Sequence, residues 1–129
     1  MIHAVPQSPP TANSHYKVKR SVVIAQSADM RVIDITLAPG ECIPWHLHPD
    51  NEDYVIVLSG SVEIREFHPD KIVTLGPLDR YVVPRKRPHT NVNVSSQDCQ
   101  FLVVQGPGKV EFQRLPKLDE RAAAKEARR

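Results

Sequence analysis

The sequence has little of what marks secreted, membrane-bound or nucleic-acid-binding proteins. It holds two cysteines, Cys42 and Cys99, which are too few for a disulfide framework, and we expect both thiols to be buried. No apolar run approaches the ~20 residues of a membrane helix. The net charge of +2 is too small to indicate a nucleic-acid partner. The N-terminus lacks the apolar stretch of a secretion signal, so we expect a cytoplasmic protein with neither a membrane nor a nucleic-acid partner.

What remains is the composition of an ordinary globular domain. Hydrophobic residues make up 40% and charged residues 25% of the 129 residues, a length that fits one domain. Residues 1–15 contain Pro6, Pro9 and Pro10, which discourage regular structure. We expect this segment to be a flexible N-terminal arm.

Short runs rich in Val and Ile follow one another between turn signals such as Pro39-Gly40 and Gly76-Pro77. Such runs are typical of strands, and their spacing predicts an all-β sandwich or barrel. The predicted strands are Val18–Ala25, Arg31–Ala38, Tyr54–Leu58, Val62–Phe67, Ile72–Leu75, Tyr81–Val83, Thr90–Val94 and Phe101–Gln105.

The last stretch of the chain has a helical pattern. Leu118–Arg129 begins with acidic residues, ends with basic ones and contains three alanines, an order that complements the helix dipole. Few apolar residues are available to dock it. We expect either a frayed tail, which we favour, or a helix that packs on a partner subunit.

The histidines point to metal binding. His46 and His48 are two residues apart, so in a strand both imidazoles lie on one face. A turn follows, and a hairpin there would bring Glu52 or Asp53 back beside them, while His89 could complete the set. Neutral imidazoles with one carboxylate favour a divalent transition metal (Fe, Mn, Ni, Co, Cu or Zn) over Ca or Mg.

Two segments carry a family resemblance. Gly40–Gly60 resembles the first cupin motif, which is a glycine, five residues, His-x-His, three or four residues, an acid, six residues and a glycine. Pro84–Asn93 is similar to the second, Pro-x-Gly-x-x-His-x-x-x-Asn. The resemblance implies a single-domain cupin jelly-roll barrel (double-stranded β-helix) over residues 16–116, followed by a charged C-terminal helix or tail over 117–129. It also implies metal ligation by the three histidines and an acid, and a homodimer.

The identity of the acid is open at this point. Counted back from Gly60, the motif's acid is Asp53, whereas Glu52 keeps the family's residue type. A shift of one residue in a strand turns the side chain to the opposite face, so the two cannot both point inward. We favour Asp53, which gives the metal ligands His46, His48, Asp53 and His89. Tyr54 faces the metal only if Glu52 does.

The second motif departs from the family in two places. Lys86 replaces the glycine before His89, and the glycine that opens the motif is absent, with Leu78 before Asp79. The cations of Arg85–Arg87 are then either a solvated loop or a positive rim that attracts an anionic substrate.

The resemblance implies the kind of site and not the reaction, since cupins include dioxygenases, isomerases, decarboxylases, lyases and polyketide cyclases. We expect a metal-dependent enzyme acting on a small, anionic or aromatic substrate, with oxygenase-like or cyclase-like chemistry. The alternative is a non-catalytic cupin module that binds or senses a small ligand.

Overall fold

The computed structural model describes residues 16–127, which form two five-stranded antiparallel sheets and one helix. The strands are β1 (Arg20–Gln26), β2 (Arg31–Leu37), β3 (Cys42–Leu47), β4 (Glu52–Ser59), β5 (Val62–Glu66), β6 (Lys71–Leu75), β7 (Arg80–Val83), β8 (His89–Val92), β9 (Cys99–Gly106) and β10 (Gln113–Arg114). The first sheet has the order β1-β2-β9-β4-β7 and the second β10-β3-β8-β5-β6. The predicted all-β jelly-roll architecture is therefore confirmed.

The core lies between the two sheets and is built from alternate residues of each strand. Along β2, Ile33, Ile35 and Leu37 are buried while their neighbours are less so, as expected for strands with one inward face. Val55 and Val57 of β4 are 1% and 0% exposed. Each fully buried side chain of this kind contributes about 1.5–3 kcal/mol to stability.

The expected hairpin after His48 is wrong. Strand β3 pairs with β8 and β10, whereas β4 pairs with β7 and β9 in the other sheet. The chain thus crosses from one sheet to the other through the 48–51 bend. A bend after a strand does not determine which strand is paired next, because pairing depends on partners distant in sequence.

The helix α1 (Pro116–Ala127) begins two residues before the predicted start. Its first residue is a proline, which suits the first helical turn because no backbone N–H is needed there. The Trp45 backbone N–H donates a hydrogen bond to Asp119 Oδ1 over 3.0 Å, which ties the helix to β3. The favoured frayed tail is therefore wrong for residues 118–127, which are helical. The predicted arm, residues 1–15, lies outside the described residues.

The two cysteines differ in burial. Cys99 is buried, as predicted, but Cys42 is exposed, so the prediction for Cys42 is wrong. The reason is alternation, since the next residue, Ile43, faces the core and turns Cys42 outward.

Between Tyr16 and Ala127, no helix combines the length and apolar character needed to cross a membrane.

Candidate metal centre

Four side chains from three segments meet inside the barrel. His46 lies on β3, His48 directly after it, Asp53 on β4 and His89 at the start of β8. All four are at most 4% exposed, and one potential ligand atom from each lies within 4.8 Å of the others. The structure thus brings together all four residues that the sequence predicts for the site.

A β-bulge in β3 sets the position of the first histidine. Ile43 is paired with Asn91 and His46 with His89, so that two residues of β3 stand opposite one residue of β8. Such a bulge changes which residues face inward. Ile43 and His46 consequently both point into the barrel although they are three residues apart.

Each imidazole is oriented by a backbone carbonyl. His46 Nδ1 lies 2.7 Å from the Pro44 oxygen, and His89 Nδ1 lies 2.9 Å from the Arg87 oxygen. His48 Nδ1 is hydrogen-bonded in the same way to the carbonyl of Glu111. Because a carbonyl only accepts, each Nδ1 must carry the proton, which leaves the Nε2 lone pair of a neutral ring available.

The Asp53 carboxylate completes the cluster. Its Oδ2 lies 3.0 Å from His48 Nε2 and 3.3 Å from His89 Nε2. His48 Nε2 is buried beside this carboxylate without an aligned hydrogen bond among the described residues. Buried polar atoms normally have partners, so an orphaned imidazole nitrogen beside a carboxylate fits a metal site.

Burial and mutual contact shift the pKa values of the cluster. Burial, reinforced by His89 and His48, holds the pKa of His46 well below its usual range. Burial also opposes the charged form of His48, but the neighbouring Asp53 carboxylate outweighs it and raises the pKa of His48. Burial disfavours the charged form of Asp53 as well, yet His48 and His89 lower its pKa. The carboxylate is therefore ionised at neutral pH, as a metal ligand must be.

The adjacent acid lies outside the cluster. Glu52 Oε2 accepts a hydrogen bond from Arg85 Nε over 2.8 Å, on the face of the strand opposite Asp53. Tyr54, which has the parity of Glu52, is 37% exposed. It is thus a surface residue and not a group that could transfer protons at the centre.

The three cations before His89 do not form an unpaired rim. Arg85 pairs with Glu52, and Arg87 Nη1 lies 2.7 Å from Glu66 Oε1. Lys86 has φ 66° and Leu78 has φ 69°, so both replacements of a family glycine keep the left-handed conformation that glycine favours. The backbone therefore turns as it would with glycine, but the side chains of Lys86 and Leu78 make this conformation strained.

A small cavity opens beside the cluster. Its volume is about 20 Å³, room for little more than one water molecule. The polar and aromatic residues that line it, apart from His46 and Asp53, are Tyr16, Arg31, Asn91, Gln105 and Phe112. The Phe112 ring stacks on His46 with centroids 4.3 Å apart and lies 5.5 Å from Tyr16.

Sequence reasoning missed Tyr16, Arg31, Gln105 and Phe112. The alternation of inward and outward residues along a strand could have identified two of them. Arg31 has the same parity as Ile33 and Ile35, and Gln105 the same as Val103, so each is the polar end of an inward-facing apolar row. Tyr16 and Phe112 lie outside the strands, where no periodicity applies.

Comparisons with known proteins agree with this fold. A family model described as Cupin domain matches residues 33–105. Among solved structures, an uncharacterized conserved protein with a double-stranded β-helix domain from Klebsiella pneumoniae is 24% identical, with a TM-score of 0.67 over 74% of this chain and 82% of that chain.

Two further solved structures have the same fold. Oxalate oxidase is 18% identical, with a TM-score of 0.63 over 68% of this chain and 47% of that chain. KdgF from Halomonas sp. is 19% identical, with a TM-score of 0.59 over 69% of this chain and 80% of that chain. At these identities the likeness shows the fold alone, and no curated protein matches the chain. Because the cupin model covers more than half of its residues, the chain belongs to the cupin family.

Proposed function

We propose that the protein is a metal-dependent cupin enzyme that binds a divalent transition metal through His46, His48, Asp53 and His89. The observation that carries the proposal is the set of three Nδ1 contacts with backbone carbonyls. They leave three Nε2 lone pairs beside one ionised carboxylate, a donor set suited to Fe, Mn, Co, Ni, Cu or Zn.

The residues around the cavity limit the chemistry. When bound, such an ion would supply a Lewis acid or activate water or dioxygen. Apart from His46 and Asp53, the titratable groups that line the cavity within the described residues are Tyr16 and Arg31. Burial, together with the Asp53 charge, raises the pKa of Tyr16 to about 12. Tyr16 therefore keeps its proton at neutral pH and can donate a hydrogen bond, and neither group is a base.

This set of groups favours chemistry that depends on the metal over chemistry that depends on a side-chain base. A reaction driven by general-base catalysis needs a group with a pKa near the operating pH, and the cavity lining offers none besides the ligands. We therefore favour oxygenase-like chemistry on a small substrate over the cyclase-like alternative. The apolar wall formed by Ile33, Ile35 and Val103 would exclude bulk water from the reacting groups.

A second candidate is a module that binds a small ligand without turnover. The small volume of the cavity, about 20 Å³, with the rings of Tyr16 and Phe112 in its lining, favours this alternative. A cavity of this volume can enclose one small group of a ligand but leaves little space for a second reactant.

Elemental analysis of the purified protein, followed by oxygen uptake with small organic acids and phenols, separates the two. One redox-active metal per chain with substrate-dependent uptake supports the enzyme. Ligand binding without turnover under Fe, Mn or Cu supports the module. A protein that binds no divalent transition metal contradicts the metal-dependent enzyme. The Glu52→Gln variant serves as the matched control, because it changes a carboxylate next to the site that faces away from it.

The homodimer, the cytoplasmic location and the domain boundaries at residues 16 and 116 stay predictions. Apolar residues on the edge strands support the dimer, since Ile24, Ile72 and Val82 are 40%, 64% and 44% exposed on β1, β6 and β7. Light scattering tests it, and a monomer at high concentration would reject it.

A further inference from the structure

The inward faces of the two sheets carry facing rows of polar residues. In the first sheet, Arg31 of β2 is paired with Gln105 of β9, and Gln105 is paired with Asp53 of β4. In the second sheet, His46 is paired with His89. Adjacent strands are about 4.8 Å apart, so Arg31 stands about 10 Å along the row from Asp53. Arg31 is the cation of this row, which includes the metal ligand Asp53 and faces the histidines of the second sheet.

The guanidinium of Arg31 is held in place. Its Nε donates a hydrogen bond to Gln105 Oε1 over 2.9 Å, and Gln105 is 4% exposed. A side-chain amide fixed between two strands has little freedom, so the plane of the guanidinium is defined. This orientation leaves the two Nη groups of Arg31 available to donate hydrogen bonds to a ligand.

No carboxylate within residues 16–127 forms an ion pair with Arg31. Five other arginines do have such a partner: Arg20 with Asp34, Arg65 with Glu63, Arg85 with Glu52, Arg87 with Glu66, and Arg114 with Asp119. Arg31 is partly buried, and a cation removed from water is stabilised when an anion meets it.

The charge of the cavity favours an anion as well. If the imidazoles are neutral, the positive charges of a divalent ion and of the Arg31 guanidinium exceed the single negative charge of the Asp53 carboxylate. The surrounding walls are apolar, including Ile33, Ile35 and Val103, and a low dielectric strengthens the attraction for a negative ligand.

We propose that Arg31 anchors the carboxylate of a small organic acid, which at the same time offers an oxygen to an open position of the metal. This inference rests on the proposed function, and it names the substrate class of that site. A guanidinium and a carboxylate match in geometry through two parallel hydrogen bonds, which a solvated ammonium cannot reproduce. The cavity of about 20 Å³ has room for little more than one water molecule, so residues that line it, such as Tyr16 and Phe112, must shift to admit the acid.

The test uses glycolate and its neutral analogue glycolamide on protein loaded with Co²⁺, whose visible spectrum reports ligation independently of turnover. Binding is measured by calorimetry and by the spectral change in the wild type, Arg31→Met, Arg31→Lys and the control Arg80→Met. Arg80 is exposed on β7, so its loss alters net charge without altering the cavity.

We expect glycolate to bind and glycolamide to bind far more weakly. Arg31→Met should weaken glycolate binding by about 10-fold or more, the size of a lost hydrogen bond to a charged group. Arg31→Lys should recover only part of the loss, and Arg80→Met should match the wild type. If Arg31→Met fails to fold, Arg31→Lys and the comparison of the two ligands still decide.

Three results would overturn the proposal: equal affinity for glycolate and glycolamide, wild-type glycolate affinity in both Arg31 variants, or no binding of glycolate at millimolar concentrations. Metal content is measured separately in every variant. Loss of Co²⁺ from the wild type itself would count against the metal site, whereas intact Co²⁺ without discrimination between the ligands would count against Arg31.

Discussion

Glu52 and Asp53 are adjacent in β4, and their carboxylates lie on opposite faces of the sheet. Asp53 Oδ2 is 3.0 Å from His48 Nε2 inside the barrel, while Glu52 Oε2 is 2.8 Å from Arg85 Nε outside it. The strand periodicity of two residues enforces this separation. The two acids therefore form a matched pair for testing the site.

Asp53→Asn should weaken metal binding by about 10-fold or more, because it removes the only charge that offsets the metal among the four ligands. Glu52→Gln should leave the affinity unchanged, since it removes only a surface pair with Arg85. Titration of the metal-free variants with Zn²⁺ measures both. Equal losses in the two variants would show that the effect is not specific to the inward carboxylate.

Metal affinity should rise with pH because His48 must lose a proton to bind. Its pKa in the metal-free protein is raised, and burial, which opposes its charge, is outweighed by Asp53. A raised pKa means a more tightly held proton, so the metal competes with that proton at and below the pKa. His46, with its pKa lowered by burial, is already neutral and releases none.

We expect the metal affinity to rise by about tenfold for each pH unit per proton displaced. Metal titrations at several values between about pH 6 and about pH 8 measure this dependence. Asp53→Asn lowers the pKa of His48 and should flatten the dependence in this range. An affinity that does not vary with pH would contradict the coupling.

Lys86→Gly should stabilise the protein by about 1 kcal/mol, because Lys86 has φ 66° and a side chain in the left-handed region costs roughly 1–2 kcal/mol. Glycine relieves that cost and loses part of the gain to its freedom in the unfolded chain. Lys86→Ala is the control, since alanine removes the charge and keeps the Cβ. Urea unfolding measures both, and a glycine variant no more stable than the alanine variant would contradict the account.

Glu66→Gln should destabilise the barrel and loosen His89. The Glu66 side chain is 0% exposed and lies 2.7 Å from Arg87 Nη1; it also accepts a hydrogen bond from the Tyr81 hydroxyl. The Arg87 carbonyl in turn faces His89 Nδ1. Because the Arg87 side chain is 26% exposed, we expect a loss of about 2 kcal/mol, below the 3–5 kcal/mol typical of a wholly buried pair.

The matched control is Glu63→Gln, on the same strand with Arg65 as its partner. It should cost less than Glu66→Gln and leave metal affinity unchanged. If Glu66→Gln left both stability and metal affinity intact, the link from Glu66 through Arg87 to His89 would be rejected.

The sequence predicts most strands and the four clustered residues because their signals are local. Alternation of apolar residues follows from the strand period, and the spacing from His48 to Gly60 selects Asp53 over Glu52. The outward direction of Tyr54 follows from the same count.

What the sequence does not predict depends on pairing between distant segments. The sequence predicts a hairpin where the chain crosses from β3 to β4, because the residues of a bend are the same whether the next strand joins the same sheet or the other one. The place of Arg31 beside Gln105 depends on the register between β2 and β9. The two-residue strand β10 carries no periodicity at all.

If three imidazoles and Asp53 hold one metal ion, Co²⁺ titration should separate the wild type from the His46→Gln, His48→Gln, His89→Gln triple variant. We expect one Co²⁺ per wild-type chain with a visible spectrum that changes when glycolate is added, and no stoichiometric binding by a triple variant whose circular dichroism shows it folded. A folded triple variant that still binds one Co²⁺ per chain would contradict the account and place the site elsewhere.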